Sequence, residues 1–138
     1  MDKPDNARRR LVLNLLVEGS SMRSISRVAD VSINTVSKLL AEAGAAYEDF
    51  HDKTVRGVVS KRSQCDEIRS FVYAKAKNVP TAKAAPEGAG DCWTWTAIDA
   101  DSKLMVASAV GDRDASDANA FMLDVASRLN TRVQPDRL

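Results

Sequence analysis

The spacing of apolar residues in the first third of the chain predicts three helices. Leucine and valine recur at helical spacing in the first helix, which runs from about Ala7 to Val17. A second, short helix ends near Ala29, and a third begins at Ser32 and stops at Gly44, which would act as its C-cap. The positions at which the second and third helices would share an apolar core are Ile25, Val31, Val36 and Leu39.

The segment between the second and third helices has the residues that a tight turn needs. Asp30 stands where such a turn requires a left-handed backbone, which Asp tolerates better than most non-glycine residues. Ser26 is small enough for a close helix crossing, and Ser32 is a natural N-cap for the third helix. Two helices joined in this way are typical of a helix-turn-helix, whose second helix enters the major groove of DNA.

The third helix would expose short polar side chains and one cation on the face away from its core. Such groups suit hydrogen bonds to base edges and phosphates in a major groove. An ordinary helical hairpin inside a larger core is the alternative, and it explains the apolar positions but not the polar face. The candidate DNA-binding residues on this helix are Ser32, Asn34, Thr35, Ser37 and Lys38.

Charge is distributed unevenly along the chain, although the formal net charge is only +1. Residues 1–64 hold 11 Lys and Arg against 8 Asp and Glu, whereas residues 65–138 hold 9 against 11. A basic first half suits contacts to the nucleic-acid backbone, although a merely soluble surface can carry the same excess. The cations just before the helix pair are further candidate DNA-binding residues, Arg8, Arg9 and Arg10.

The pattern changes from helical to strand-like after residue 64. A hairpin around Asp101 would join the second and third strands, and Pro135 would cut off a fourth strand that opens at Val133. The predicted domains are a helix-turn-helix domain at residues 1–46, a basic linker at 47–64 and a strand-rich domain at 65–138. The elements of the last domain are strands at Ile68–Ala74, Trp93–Ile98 and Leu104–Val110, then a helix at Ser116–Leu129.

Three segments of the second half occur in an order that is specific in combination. They are Cys65-Asp66-Glu67-Ile68-Arg69-Ser70-Phe71-Val72, Trp95-Thr96-Ala97-Ile98-Asp99-Ala100-Asp101-Ser102-Lys103 and Val110-Gly111-Asp112-Arg113. They resemble the first three strands of insertion-sequence transposases of the DDE superfamily, and nearly the whole chain is most similar to the insertion-sequence-one group. The resemblance implies an α+β chain: a three-helix helix-turn-helix domain, then an incomplete RNase H-like half of three antiparallel strands and a helix.

The resemblance also implies roles for two carboxylates. Such enzymes hold two divalent metal ions, Mg²⁺ or Mn²⁺, that activate the attacking oxygen and stabilise the leaving one. Asp66 takes the place of the first metal ligand, and a charge inside an apolar strand is costly without a metal or partner. Asp99 is a second catalytic candidate. Strand alternation places Glu67 on the face opposite Asp66, so the two are not expected to bind one metal. The alternatives are a lysine salt bridge for Asp66 and turn capping for Asp99.

The sequence also departs from the family pattern. The family's second Asp lies in a Thr-Asp-Gly segment that ends the fourth strand, whereas this sequence ends with Pro135-Asp136-Arg137-Leu138. The family's late glutamate is absent, and Arg69 stands where a tryptophan is usual. We therefore expect a truncated transposase that binds no metal productively and catalyses no strand transfer alone. Loss of the fourth strand should leave the first strand as an exposed edge and the second half marginally folded.

These patterns set the expected partners and compartment. The expected partner is double-stranded DNA at the element's terminal repeats, with self-association or pairing with the full-length transposase, and no membrane. Cys65 and Cys92 form no CxxC pair and are expected to be reduced thiols in the cytoplasm, and the lone His51 has no metal partner. A small helix-turn-helix regulator with a C-terminal dimerisation module is the alternative function. A metabolic enzyme has no support, since no phosphate-binding glycine loop or nucleophile elbow is found.

Overall fold

A computed structural model describes residues 4–130 and 134–137, which fall into two units, Met1–Thr54 and Val55–Leu138. The first unit consists of three helices. The helices are α1 at Asn6–Val17, α2 at Met22–Ala29 and α3 at Ile33–Thr54. The predicted start and end of the first helix and the end of the second are confirmed within one residue.

The core of the first unit lies where the three helices meet. The predicted core positions in α2 and α3 are confirmed, with Val31 half-buried at the margin. Leu15, Leu16 and Met22 pack around them. The buried members of this core are Val12, Ile25, Ala29, Val36 and Leu39.

The connection between α2 and α3 has the predicted geometry. Asp30 adopts φ 54° and ψ 52°, the left-handed conformation, and ends α2. The Ser26 hydroxyl donates a hydrogen bond of 2.5 Å to the carbonyl of Val31, which fixes the chain as it leaves the turn. The Ser32 hydroxyl then accepts the amide hydrogen of Thr35 at 3.2 Å, so that Ser32 caps α3 as predicted.

The predicted end of the third helix at Gly44 is wrong. The helix α3 continues through Gly44 to Thr54, and the first part of the expected linker is therefore helical. Alanine surrounds Gly44 at positions 41, 43, 45 and 46, and it is the best helix former, whereas one glycine costs only about 1 kcal/mol. The extension carries two exposed aromatic side chains, Tyr47 and Phe50.

The second unit is a four-stranded sheet with one long helix. The elements are β1 at Arg62–Val72, β2 at Gly90–Asp99, β3 at Met105–Gly111, α4 at Ala115–Arg128 and β4 at Gln134–Arg137. The sheet order is β3-β2-β1-β4, in which β2 pairs antiparallel with both β1 and β3, and β4 pairs parallel with β1. A short 3-10 helix, Ala76–Thr81, lies in the long loop between β1 and β2.

Two expectations about the strands are corrected. The strand β1 begins at Arg62, inside the expected linker, and its first four residues pair with β4. The first strand is thus not an unpaired edge over Arg62–Cys65, and a fourth strand is present. Pro135 is compatible with β4 because β4 is an outer strand of the sheet, the position in which proline is tolerated. Val133, the expected start of this strand, lies outside the described residues.

The core of the second unit lies between α4 and one face of the sheet. Phe121 and Val125 of the predicted apolar helix face are buried, whereas Met122 is 41% exposed. The ring centroids of Trp95 and Phe121 lie 5.9 Å apart. The buried residues of this core are Ala97, Val106, Ala107, Phe121 and Val125.

Residues that alternate with these core positions lie on the opposite face of the sheet. Ile68, Val72 and Val110 on this face are largely exposed within the second unit.

Cys65 and Cys92 are free thiols, as predicted, and burial raises the pKa of the Cys65 thiol. Among the described residues, we find no helix with the length and apolar character needed to cross a membrane.

Substitution of Asp30 tests the turn. Asp30→Gly should raise the free energy of unfolding of the first unit by about 0.5–1 kcal/mol, because glycine adopts a positive φ without a Cβ clash. Asp30→Val should lower it by about 1–2 kcal/mol. Denaturant unfolding followed by far-UV circular dichroism measures both changes. Trp93 and Trp95 lie in the second unit, and their fluorescence transition is the internal control. Equal stability of the two variants would contradict the left-handed turn.

Candidate functional site

The start of α3 presents a polar face opposite its buried side. Val36 and Leu39 are buried in the core, whereas Asn34, Ser37 and Lys38 are exposed. These three residues are spaced at i, i+3 and i+4, which places them on one side of a helix. The face therefore combines an amide, a hydroxyl and an ammonium group within about one and a half turns.

Ser32 and Thr35, the other two candidates on α3, have a local structural role. Their side-chain oxygens lie 2.9 Å apart, and the Ser32 hydroxyl also accepts the Thr35 amide hydrogen. Thr35 is half-buried. These two residues hold the helix start in place, and the polar face beyond them is left to Asn34, Ser37 and Lys38.

The cations near this face share one carboxylate. Arg9 of α1 lies 3.9 Å from Glu42 of α3, and the Lys38 ammonium lies 4.0 Å from the same side chain. The side chains are 41–69% exposed, and exposed pairs of this kind contribute at most about 1 kcal/mol each. Arg8 and Arg10 are exposed on α1. The pairs with Glu42 are therefore weak, and both cations remain accessible to solvent.

Asp66 lies on the sheet face opposite α4. It is exposed, and its carboxylate accepts the backbone hydrogen of Glu67 at 2.8 Å. The desolvation cost that suggested a buried metal ligand is therefore absent. In the described part of the chain no lysine lies within ion-pair distance of Asp66, so the salt-bridge alternative is not observed either.

Glu67 lies on the face opposite Asp66, as predicted from strand alternation, and this is the face that α4 covers. Its cross-strand partner is Trp95, which contacts Phe121 of α4. The Glu67 carboxylate forms an ion pair of 2.9 Å with Arg113, whose guanidinium lies 5.0 Å above the ring of Trp93. Glu67 is thus held by a cation from the end of β3 and does not join Asp66.

Asp99 is a buried carboxylate with a complete set of donors. Its exposed fraction is 5%. The Ser60 hydroxyl donates at 2.6 Å, and Ser102 donates its amide at 2.8 Å and its hydroxyl at 2.5 Å. Hydrogen bonds from Ser102, Ser60 and the backbone lower the pKa of Asp99 from 3.8 to about 2. Asp99 therefore joins the segment before β1 to the β2–β3 turn, and the turn-capping alternative is the observed one.

The two catalytic candidates do not converge. Asp66 is opposite Thr96 in an unbroken antiparallel register, and Asp99 follows three residues later on β2. Successive side chains of a strand point to opposite faces, so Asp66 and Asp99 lie on opposite sides of the sheet. These two residues therefore do not assemble the donor set of the two-metal centre that the resemblance implies.

The described residues bring a different acidic cluster together at the end of β3. Oxygens of Asp112, Asp114 and Asp117 lie within 4.8 Å of one another, close enough to hold a metal ion. Asp114 caps α4 by accepting the Asp117 amide hydrogen at 2.7 Å, and Asp117 accepts that of Asp112 at 2.6 Å. Sequence reasoning missed this cluster, although three aspartates within six residues around the start of a helix were a signal for it.

No protein-family model matches this chain, and no curated protein matches it in sequence. The functional assignment therefore depends on the residues themselves.

Replacement of Asp99 by asparagine tests its buried network. A carboxylate with a lowered pKa stabilises the fold above about pH 4, and this contribution is lost as the pH falls towards about 2. Asp99→Asn should destabilise the second unit at neutral pH and remove this part of its acid sensitivity. Tryptophan fluorescence during denaturant unfolding at several pH values measures both effects. Asp101→Asn, at the exposed neighbouring carboxylate, is the matched control. An unchanged pH profile for Asp99→Asn would refute the network.

Proposed function

We propose that this chain binds double-stranded DNA as an insertion-sequence transposase does, with its three-helix unit recognising the terminal repeats of the element. The observation that carries the proposal is the polar face at the start of α3, formed by Asn34, Ser37 and Lys38. A helical hairpin inside a larger core would bury this side of α3, whereas these three side chains are exposed. The free thiols of Cys65 and Cys92 suit a reducing compartment, and on that ground we assign the protein to the cytoplasm.

The order of local features supports α2 and α3 as a helix-turn-helix. A left-handed Asp30 ends α2, Ser32 caps α3, and Ile25 and Val36 are buried in a core shared by both helices. This arrangement holds α3 by its buried side, so that the opposite side is available to the major groove. The bonds of Ser26 and Ser32 restrict rotation of α3 relative to the turn, which recognition of base edges requires.

Each exposed group has a distinct role in the proposed complex. The Asn34 amide suits a bidentate pair of hydrogen bonds to adenine, and Ser37 can donate to or accept from either base type or phosphate. Lys38 and the α1 arginines, Arg8, Arg9 and Arg10, neutralise backbone phosphates and release counterions. Base contacts supply the sequence preference, whereas the cations supply affinity that falls with salt.

The architecture of the second unit supports an RNase H-like sheet. Three antiparallel strands are followed by a helix and by a strand parallel to β1, in the order β3-β2-β1-β4. We propose DNA binding, not cleavage, as the activity of the described residues, because Asp66 and Asp99 lie on opposite faces. The cofactor Mg²⁺ or Mn²⁺ is attributed only to the complete enzymes that the chain resembles.

The same separation of Asp66 and Asp99 favours a second candidate, a helix-turn-helix regulator whose second unit serves assembly. The two candidates differ in the DNA that is bound. Selection of bound duplexes from the genomic DNA of the source cell distinguishes them, because a transposase-type protein recovers element ends and a regulator recovers promoter segments. Recovery of neither class above a random background would contradict both.

A salt-titrated binding assay tests the polar face directly. Asn34→Ala should cost about 1–3 kcal/mol on the selected duplex and little on random DNA, since it removes a base contact. Lys38→Ala should weaken binding to both and reduce the salt slope by about 1. Lys53→Ala is the matched control on α3, 15 residues away from Lys38 along the helix. Equal effects of Lys38→Ala and Lys53→Ala would contradict an interface at the helix start.

Removal of the shared carboxylate should strengthen binding. Glu42→Gln releases Arg9 and Lys38 from an exposed ion pair and removes a negative charge near the DNA. We expect a gain of about two- to fivefold in affinity and a steeper dependence on salt. Glu48→Gln, an exposed position farther along α3, is the control for the change in net charge. Weaker binding by Glu42→Gln would place the interface elsewhere.

A further inference from the structure

We propose that the chain forms a symmetric dimer through the edge of β3, with the two β3 strands antiparallel and Lys103 of each copy beside Asp112 of the other. The proposal concerns only the second unit and does not depend on DNA binding. The contact is isologous, so each interaction across it occurs twice.

The strand β3 is an outer strand without the usual protection against pairing. It is the first strand in the order β3-β2-β1-β4, and its sequence, Met105-Val106-Ala107-Ser108-Ala109-Val110-Gly111, contains neither a charged residue nor proline. Proteins commonly protect outer strands with such residues, because unpaired N–H and C=O groups attract another strand. This uncharged seven-residue edge is thus suited to pair with a strand of another chain.

Charge differs between the two ends of β3. Lys103 precedes the strand, is exposed and makes no ion pair among the described residues. After the strand come Asp112, Asp114 and Asp117, whose oxygens lie within 4.8 Å of one another. The cation within this cluster, Arg113, is directed to Glu67 at 2.9 Å, so it does not neutralise the three carboxylates.

Antiparallel pairing of two copies brings these opposite charges together. The register of β3 against β2 shifts at Val106, which is an extra residue in β3. When two β3 strands align about Ser108, this extra residue moves the pairing beyond it by one position, so Lys103 of one copy comes opposite Asp112 of its partner. Parallel pairing would instead place the two acidic ends side by side. The charge pattern therefore selects a second copy in the antiparallel orientation as the occupant of this edge.

Shape and apolar surface at the edge agree with this orientation. Val110 is 73% exposed near one end of β3, and Met105 is 37% exposed at the other. Antiparallel alignment makes these two side chains cross-strand neighbours between copies. A cavity of about 180 Å³ lies between Gly111 and α4, lined also by Trp95, Ala120 and Phe121, and it has room for the stem of Lys103 from the second copy.

A charge swap in the full chain tests the proposal. Sedimentation equilibrium of the wild type should show a monomer–dimer equilibrium in the micromolar range, as suits an interface of modest area. Lys103→Asp should weaken dimerisation by about tenfold or more, since it places like charges together at both ends. Lys103→Asp combined with Asp112→Lys should restore most of the affinity. The Asp112 contacts within its own chain use backbone atoms, which the substitution retains.

Two further measurements distinguish this edge from other surfaces. Val110→Lys should weaken dimerisation, whereas Val17→Lys, at an equally exposed valine of the first unit, should not. Amide hydrogen exchange should slow with concentration in β3 only. A monomer at all concentrations up to about 1 mM, failure of the charge swap to restore association, or protection confined to α3 would each overturn the proposal.

Discussion

The exposed face of α3 depends on a turn of three residues, Asp30, Val31 and Ser32. A left-handed residue ends α2, a side-chain hydrogen bond from Ser26 holds the carbonyl of Val31, and the Ser32 hydroxyl caps the next helix. These bonds are local, but they affect the orientation of the whole of α3. They determine the direction in which α3 leaves the turn, and hence which of its side chains enter the core and which remain in solvent.

Hydrogen bonding determines the role of the acidic residues in the second unit. Asp99 accepts hydrogen bonds from Ser60 and Ser102 that stabilise its ionised form. These bonds occupy the carboxylate oxygens that a metal ion would need, so the arrangement suits a structural carboxylate. Asp66 is an exposed carboxylate on the other face. Two aspartates that look equivalent in the sequence thus have different environments, because strand alternation places them on opposite faces of the sheet.

Local signals were sufficient to predict most of the first unit. Several features follow from neighbours within one or two helical turns. They are the cap at Ser32, the left-handed conformation of Asp30 and the core positions Ile25 and Val36. The prediction failed at Gly44, where the helix propensity of four flanking alanines outweighs the tendency of glycine to end a helix. The end of a helix thus depends on the propensity of the whole segment and not on one glycine.

Long-range pairing limited the prediction of the second unit. The hairpin of β2 and β3 was found because its partners are close in sequence, whereas the pairing of β4 with β1 joins residues about 70 positions apart. Whether Asp66 and Asp99 share a face depends on the register of β1 against β2, which the sequence pattern does not specify. The acidic cluster of Asp112, Asp114 and Asp117, by contrast, could have been predicted from the spacing of these residues in the sequence alone.

The most direct test of the DNA-binding account is a map of the contacted residues. Addition of the selected duplex to the isotopically labelled full chain, followed by amide chemical shifts, reports on every residue at once. The account predicts that the largest changes fall on residues 32–38 at the start of α3, and that a random duplex produces smaller changes there. Changes confined to the second unit, or none at residues 32–38, would contradict it.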